Sequence, residues 1–188
     1  MNDPLVILGI AGSLRKQSFN RALLRAAQEL VPEGARIETF ELEGIPAFNE
    51  DEEANPHPRV AELKQRIRAA DAILFVTPEY NYSIPGVLKN AIDCASRPYG
   101  DSAWTGKPVA IMGASVGTIG TARAQYHLRQ TFVFLNMYPV NQPEVMVANA
   151  HKSFDQEGKL TDNKTKELVQ QLLSELVKWT KRLSGSRT

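Results

Sequence analysis

The segment LVILGIAGSLRKQSFN, residues 5–20, joins a strand to the start of a helix through a polar loop. Its apolar run is too short to cross a membrane and has the length of a strand buried on both faces. Gly12 ends that run, and from about Asn20 the apolar residues recur at helical spacing. Hydroxyl, guanidinium and amide side chains therefore lie where a helix presents unpaired N–H groups, which is a favourable site for a phosphate monoester. We predict a phosphate-binding loop at the carboxyl end of the first strand.

Strand and helix patterns alternate five times along the chain. After the first strand, further strands are predicted at residues 36–40, 72–76, 108–112 and 140–147, the last one broken by Pro143. This alternation is typical of an α/β fold in which a doubly wound, five-stranded parallel sheet carries helices on both faces. We expect the strand order 2-1-3-4-5. In that order the winding reverses between the first and third strands, and ligands bind outside their carboxyl ends.

The composition is that of an ordinary globular protein. A length of 188 residues predicts a single domain, residues 1–188. The net charge of +1 gives no electrostatic reason to expect binding to nucleic acid or to an anionic membrane. No apolar run approaches the roughly 20 residues of a membrane-spanning helix, and no N-terminal targeting signal is recognised.

The single cysteine, Cys94, excludes an internal disulfide and fits a reducing compartment, so we predict a cytoplasmic protein. No histidine or basic cluster adjoins it, so burial as a packing thiol is favoured over reactivity. The histidines His57, His127 and His151 lack metal-ligand spacing, and no metal is expected.

Two more loops follow predicted strands at the same edge of the sheet. Residues 77–86, TPEYNYSIPG, fit neither a strand nor a helix throughout, because Pro78 lacks an N–H and Asn81 tolerates turn geometries. They offer an irregular backbone, two tyrosine rings and an amide, which suit a flat ring system with a polar edge. Residues 113–120, GASVGTIG, contain glycines that leave room for a ligand on the opposite side. The alternative is that both segments are only turns.

The residues of the first loop narrow the choice of phosphate ligand. The dinucleotide pattern G-x-G-x-x-G is absent after the first strand, and Pro108 follows Gly106 and Lys107 where a Walker motif needs Ser or Thr. A phosphorylated receiver domain would need acidic residues at positions 11–13, which are Ala-Gly-Ser. A hydroxyl-rich loop with one arginine suits a terminal monophosphate, and therefore a mononucleotide such as FMN.

Three other segments lie outside these motifs. Residues 44–58 are rich in proline, asparagine and acidic residues and form either a lid over the site or a solvated connector, with the connector favoured. Residues 149–160 form an excursion before the last helix. Residues 132–135, FVFL, are four consecutive apolar residues on a predicted helix, and they cannot all face one side of it. A partner subunit is the favoured explanation, so we predict a homo-oligomer.

The segments GSLRKQSFN, TPEYNYSIPGVLKNAID and GASVGTIG resemble those of the NAD(P)H-dependent FMN reductase family of flavodoxin-like proteins. The resemblance covers nearly the whole chain and is closest to the bacterial quinone and chromate reductase branch. It implies residues that bind FMN in the three loops. The implied phosphate-loop residues are Ser13, Arg15, Ser18, Phe19 and Asn20, and those at the flavin ring are Pro78, Glu79, Tyr80, Asn81, Tyr82, Ser115 and Gly117.

The same resemblance implies an oxidoreductase in which NADPH or NADH reduces bound FMN and a small acceptor reoxidises it. Quinones are the expected acceptors, with chromate, azo and nitro compounds as further substrates, and the family implies a dimer or a tetramer. The flavin carries the chemistry, so no catalytic side chain is expected. A flavodoxin-type electron carrier is the main alternative, although such carriers are usually strongly acidic. A second alternative is a non-catalytic flavin-binding regulatory protein.

Overall fold

A computed structural model describes residues 3–185 of the chain. The strands are β1 (Leu5–Ala11), β2 (Ala35–Phe40), β3 (Ala72–Val76), β4 (Pro108–Ala114), β5 (Tyr138–Pro139) and β6 (Val145–Val147). The helices are α1 (Phe19–Leu30), α2 (Pro58–Ala69), α3 (Gly86–Ala95), α4 (Ala122–Leu135) and α5 (Asn163–Gly185), with short 3₁₀ helices at Glu50–Glu52 and Ala150–Lys152.

The strands form one parallel sheet in the order β2-β1-β3-β4-β5, and β6 also pairs with β4. The predicted fold and strand order are therefore confirmed. The predicted last strand, residues 140–147 with a break at Pro143, does consist of two short pieces, but the first of them, β5, lies before residue 140. β5 pairs with Pro108 and Val109, and β6 pairs with the end of β4. Between them the chain leaves the sheet around Pro143, which has no N–H to donate to a neighbouring strand.

Helices cover both faces of the sheet, and the central strands are buried on both sides. In β3, Leu74 belongs to the cluster that faces α1 and α5, whereas Ile73 and Phe75 belong to the cluster on the other face. The Phe75 ring packs against Trp104 and Phe132, with ring centroids 5.6 Å and 5.9 Å away. This double burial explains why the predicted strands are continuous apolar runs rather than alternating ones.

A glycine in β1 leaves room for a side chain of α1. A Cβ atom at Gly9 would lie 2.6 Å from Leu24 Cδ1 and 3.0 Å from Ile37 Cγ2. A larger residue there would require Leu24 to repack against the strand that leads into the polar loop.

The apolar run on α4 is divided between the core and the surface. Phe132 and Leu135 are buried, whereas Val133 is 84% exposed and Phe134 is 79% exposed. The helical period allows no other outcome for four consecutive residues.

Cys94 is buried on α3, as predicted for a packing thiol. Burial, and secondly the carboxylate of Asp93, raise the pKa of this thiol. Within residues 3–185, no helix is both long enough and apolar enough to cross a membrane.

Helix α5 begins directly after Asp162. The carboxylate of Asp162 accepts hydrogen bonds from the Thr165 amide at 2.7 Å and from the Thr165 hydroxyl at 2.6 Å. These bonds, with the hydroxyl contributing most, lower the pKa of Asp162. The residue therefore serves as the N-cap of the helix.

We expect Asp162→Ala to lower the free energy of unfolding by about 1 kcal/mol at pH 7, because α5 loses its N-cap. The pKa of Asp162 is lower in the folded protein than its ordinary value of 3.8. The contribution of the charged carboxylate to the free energy of unfolding is therefore complete above pH 3.8 and is lost as the pH falls through the folded-state pKa. Urea unfolding at pH 7 and pH 3 should show a smaller gap between wild type and variant at the lower pH. The variant Asp162→Asn retains a capping oxygen, so its free energy of unfolding at pH 7 should lie between those of the wild type and Asp162→Ala. A gap of equal size at both pH values would contradict this account.

Candidate functional site

Three polar loops meet at the carboxyl edge of the sheet, where β1, β3 and β4 end side by side. The Gly12 amide donates to the Val76 carbonyl at 2.9 Å, and the Thr77 amide donates to the Met112 carbonyl at 3.0 Å. These bonds extend the pairing of the strands into the loops. The loops therefore lie together, as the sequence predicts.

The first loop places two serine hydroxyls at the N-terminus of α1. Ser13 and Ser18 are each only 4% exposed. The Ser18 hydroxyl caps α1 by accepting the Asn20 amide at 3.2 Å, and the Ser13 hydroxyl accepts the Arg15 amide at 3.3 Å. Each hydroxyl thus accepts a backbone N–H and retains its own hydrogen to donate. Such a pair, next to a helix N-terminus, is suited to an anion.

Arg15 and Phe19 lie together at the outer side of this loop. The exposed Arg15 guanidinium lies 5.9 Å from the centre of the Phe19 ring. On its other side, that ring packs against Phe154 at 5.4 Å. Phe154 belongs to the excursion at residues 149–160, so this segment supports the phosphate loop. The sequence gives no sign of that contact.

Asn20 links α1 to the third loop. It is 2% exposed, and both ends of its amide bond the backbone of Ala114 at the end of β4, each at 2.9 Å. Its polar side-chain atoms are therefore already engaged in the structure. The contact with FMN that the family resemblance implies for Asn20 stays a prediction.

The second loop contains a tight, strained turn. The Tyr80 and Ser83 backbones exchange two hydrogen bonds of 2.9 Å, and the residues between them, Asn81 and Tyr82, have φ values of 49° and 66°. This pattern matches a type I′ turn, which asparagine tolerates but which is unfavourable for tyrosine. The turn exposes 50% of Tyr80 and 67% of Tyr82. Strain of this kind concentrates at functional sites.

Pro78 and Glu79, which precede the turn, are largely enclosed. Pro78 is buried, and the Glu79 side chain is 6% exposed. The Glu79 carboxylate accepts the backbone amides of Arg123 at 3.0 Å and Ala124 at 3.2 Å and forms an ion pair with the Arg123 guanidinium. It therefore caps α4, whose own N-cap residue, Thr121, makes no side-chain capping bond. The Glu79 carboxylate is thus turned towards α4, and the expectation that this residue lines the flavin ring stays a prediction.

Arg123 is the main residue that the sequence reasoning missed. Its guanidinium lies 3.6 Å from the centre of the Tyr82 ring, and its hydrogen bond with Glu79 raises its pKa. One side chain thus braces both the carboxylate and the strained turn. Because Arg123 and Glu79 are 44 residues apart, no local pattern indicates their pairing.

A glycine lets the second loop approach α4. A Cβ atom at Gly113 would lie 2.2 Å from the Thr77 carbonyl oxygen and 2.4 Å from Thr121 Oγ1. Gln125, which is fully buried, donates to Thr121 Oγ1 and to the Val145 carbonyl, both at 2.9 Å. These contacts tie the start of α4 to β6 and were also missed.

The third loop is held by the segment that follows β6. The half-buried Ser115 accepts the Gly117 amide on its hydroxyl at 3.2 Å. The Asn149 amide donates to the Gly117 carbonyl, and the Ala150 amide to the Ser115 carbonyl, at 3.1 Å and 3.0 Å. Ser115 and Gly117 thus lie at the same edge as the other two loops, and Gly117 is exposed.

The acidic segment at residues 44–58 is tethered to α3 and its C-terminal end. Asn90 accepts the Phe48 amide at 2.8 Å and donates to the Pro46 carbonyl at 2.7 Å. Arg97 bonds Glu53 at 2.5 Å. Most of residues 44–58 are exposed, as the favoured interpretation of a solvated connector implies, but these contacts tether the segment to a helix that begins directly after the second loop.

Comparisons with known proteins agree with this geometry. The family model described as NADPH-dependent FMN reductase matches residues 5–152. An NAD(P)H-dependent FMN reductase of Pseudomonas aeruginosa is 55% identical over 186 residues, which is 98% of this chain and 100% of that protein. A quinone reductase of Pseudomonas putida is 45% identical over 96% of this chain and 97% of that protein.

A solved structure is also similar over its whole length. FerB, a flavoenzyme NAD(P)H:(acceptor) oxidoreductase from Paracoccus denitrificans, has a TM-score of 0.85 at 38% identity, covering 95% of this chain and 98% of that one. Together these matches confirm the predicted family, its flavodoxin-like fold and its class, an oxidoreductase that depends on FMN and NAD(P)H. They do not favour the electron-carrier and regulatory alternatives.

We expect Glu79→Ala to lower the free energy of unfolding by about 1–3 kcal/mol, because two amides and a guanidinium lose a charged acceptor. Glu79→Gln retains a capping oxygen and should lose less. The control Glu62→Ala removes an exposed carboxylate paired with Arg59 and should change stability by less than about 1 kcal/mol. Urea unfolding of the three variants tests this. Equal losses for Glu79→Ala and Glu62→Ala would contradict the capping role.

Proposed function

This chain belongs to the NADPH-dependent FMN reductase family, and we propose that it reduces quinones with electrons from NADPH or NADH at the edge where its three loops meet. The observation that carries the proposal is the pair of buried serine hydroxyls, Ser13 and Ser18, at the N-terminus of α1 beside Arg15.

The donor set of the first loop fits the phosphate of FMN. Two hydroxyls, one guanidinium and a helix N-terminus match the oxygens and the charge of a phosphate monoester. The third loop leaves space, because the nearest atom to a Cβ added at Gly117 would be Ser115 Oγ at 3.5 Å. We infer that Ser13, Arg15 and Ser18 hold the phosphate and that Phe19 keeps Arg15 in place.

The second loop is suited to the polar edge of the flavin ring. Within residues 3–185, the backbone amides of Asn81 and Tyr82 donate no hydrogen bond, since only those of Tyr80 and Ser83 are used within the turn. Preorganised N–H groups stabilise negative charge on an adjacent group. We assign that role to the amides of Asn81 and Tyr82, because Arg123 and Glu79 hold their turn in position. Ser115 and Gly117 would then lie on the opposite side of the flavin ring.

The chain binds and orients the reactants, and no side chain is assigned a proton transfer. When bound, FMN accepts hydride equivalents from a nicotinamide and passes electrons to an acceptor. The exposed rings of Tyr80 and Tyr82 offer flat surfaces for a flat acceptor, and the relative from Pseudomonas putida carries the name quinone reductase. The reduction of chromate, azo and nitro compounds stays a prediction.

We expect wild-type protein loaded with FMN to lose its flavin absorbance on anaerobic mixing with NADPH or NADH and to recover it on addition of a small quinone. Arg15→Ala should raise the FMN dissociation constant about tenfold, because a charge-assisted phosphate contact is lost. Arg36→Ala, which removes a surface arginine paired with Glu38, is the control and should bind FMN as the wild type does. Undiminished flavin in Arg15→Ala would contradict the loop assignment, and a flavin band unaffected by either nucleotide would contradict the reductase.

We infer a homo-oligomer, a dimer or a tetramer, from the surface of α4. Tyr126, Val133 and Phe134 are 53%, 84% and 79% exposed, and helical spacing places them along one stripe. Large apolar side chains exposed side by side often mark a protein–protein interface. The single cysteine supports a cytoplasmic location, and one sheet with a core on each face supports a single domain for residues 1–188.

Phe134→Glu should shift the protein towards monomers, because a charge at the stripe would be buried without a partner. Size-exclusion chromatography with light scattering at micromolar concentration measures this. Gln171→Glu, which adds the same charge at an exposed position on α5, should leave the molar mass unchanged. A monomeric wild type, or a Phe134→Glu protein that still assembles, would contradict the stripe as the interface.

A further inference from the structure

A second side-chain contact joins the tight turn of the second loop to α4. The hydroxyl oxygen of Ser83 lies 3.0 Å from Nδ1 of His127, and the two residues are 44 positions apart in the chain. According to the tautomer of the imidazole, either the Ser83 hydroxyl donates to Nδ1 or the Nδ1–H donates to Ser83 Oγ. This bond is separate from the capping of α4 by Glu79, so its effect falls on the turn itself.

The contacts of Glu79 and Ser83 with α4 match each other in position. Glu79 and Ser83 are four residues apart around the turn, and their partners Arg123 and His127 are four residues apart on the helix. Residues at this helical spacing lie on one face, separated by a rise of about 6 Å. The first and last residues of a tight turn lie within about 7 Å of each other. One turn of α4 therefore spans the tight turn and holds it at both ends.

The backbone between these two contacts has a conformation that it does not favour. Asn81 and Tyr82 have φ values of 49° and 66°, and the Cβ atom of Tyr82 opposes this left-handed region. Such strain persists only where surrounding contacts determine the conformation. The two backbone bonds between Tyr80 and Ser83 lie within the turn. The bond from Ser83 to His127 instead fixes the far end of the turn to a helix.

The conformation of the turn decides where its two free amides point. Within residues 3–185, the backbone amides of Asn81 and Tyr82 donate no hydrogen bond, and we have assigned them to the polar edge of the flavin ring. Reduced flavin carries negative charge at that edge, whereas the oxidised ring is neutral. N–H groups held in one orientation therefore stabilise the reduced form more than the oxidised form. Amides that turn towards water do so less.

We propose that His127 is a positioning residue that holds this turn through Ser83 and thereby raises the midpoint potential of bound FMN. The inference rests on the proposed function, because it takes the second loop as the site of the polar edge of the flavin ring. His127 acts only through Ser83, and it is assigned no contact with FMN and no proton transfer.

The test compares two substitutions of His127. His127→Phe keeps an aromatic ring but loses the hydrogen bond, whereas His127→Asn places a hydrogen-bonding atom as many bonds from Cα as Nδ1 is. In His127→Phe, the dissociation constant of reduced FMN should rise about fivefold relative to that of oxidised FMN. This change equals a fall of about 20 mV in the two-electron midpoint potential. His127→Asn should stay within about twofold of the wild type. Fluorescence titration gives the dissociation constant of oxidised FMN, and reductive titration with dithionite gives the potential.

Ser83→Ala removes the other half of the bond and completes a double-mutant cycle. It should lower the potential as His127→Phe does, and the two substitutions together should lower it no further. Because Ser83→Ala leaves the surface of α4 unchanged, an effect of His127 on subunit assembly would not appear in it. The controls are His57→Phe, which removes a histidine bond at the start of α2, and Ser174→Ala, which removes a hydroxyl bond on α5. Both should keep the potential of the wild type.

Three results would overturn the proposal. They are a wild-type potential in His127→Phe, additive effects of His127→Phe and Ser83→Ala, and a potential of His127→Asn as low as that of His127→Phe. Failure of the proposed function looks different, because the flavin of the wild type would then stay oxidised with NADPH and NADH but would still be reduced by dithionite.

A wild type that bound no FMN would also leave the contact open to test. The backbone chemical shifts of Asn81 and Tyr82 report their left-handed conformation in the protein without ligand. These shifts should move in His127→Phe and Ser83→Ala and stay at the wild-type values in His127→Asn. Unchanged shifts in the first two variants would overturn the role of His127 in positioning the turn.

Discussion

The geometry of the loop edge depends on the buried carboxylate of Glu79. Burying a charge is costly unless it is paired and hydrogen-bonded, and Glu79 meets both conditions through two backbone amides and the Arg123 guanidinium. The same guanidinium packs on Tyr82, which has an unfavourable backbone conformation. The contact between Glu79 and Arg123 thus stabilises the strained turn and also caps α4. The free amides of Asn81 and Tyr82 therefore keep one orientation.

Asn20 has the corresponding function on the other side of the edge. Its amide bonds the backbone of Ala114, so the start of α1 is fixed to the end of β4. Asn20 and Glu79 share low exposure and fully used polar groups, whereas Arg15, Tyr80 and Tyr82 are exposed. Side chains whose polar groups are fully used thus stand beside side chains that keep a group free. Neither residue type nor burial separates the two sets, because Ser13 and Ser18, which we propose to hold the phosphate, are almost as buried as Asn20. The difference is that each of these hydroxyls keeps a hydrogen to donate.

The sequence was sufficient to predict the sheet order and the meeting of three loops, because apolar runs and their polar ends are local patterns. It could not show that Asn20 and Glu79 connect distant parts of the fold, since their partners lie 94 and 44 residues away along the chain. The pairing of Glu79 with Arg123 has no local signature, and neither does the packing of Phe154 on Phe19. The sequence predicts the break at Pro143 but not the position of β5, because two residues, Tyr138 and Pro139, are too few to form a recognisable apolar pattern.

The net charge of +1 conceals a strongly uneven distribution. The cations of α2 are paired with carboxylates, whereas Arg15 and Lys16 of the first loop have no acidic partner among the ion pairs of residues 3–185. Both residues are exposed, and the Arg15 guanidinium lies near the Phe19 ring. The first loop thus carries positive charge that no ion pair offsets. Since screening is strong beyond about 8 Å at physiological salt, this local excess favours an anion held close to the loop and has little effect on distant ones. The small net charge of the chain is therefore no argument against an anion site at this edge.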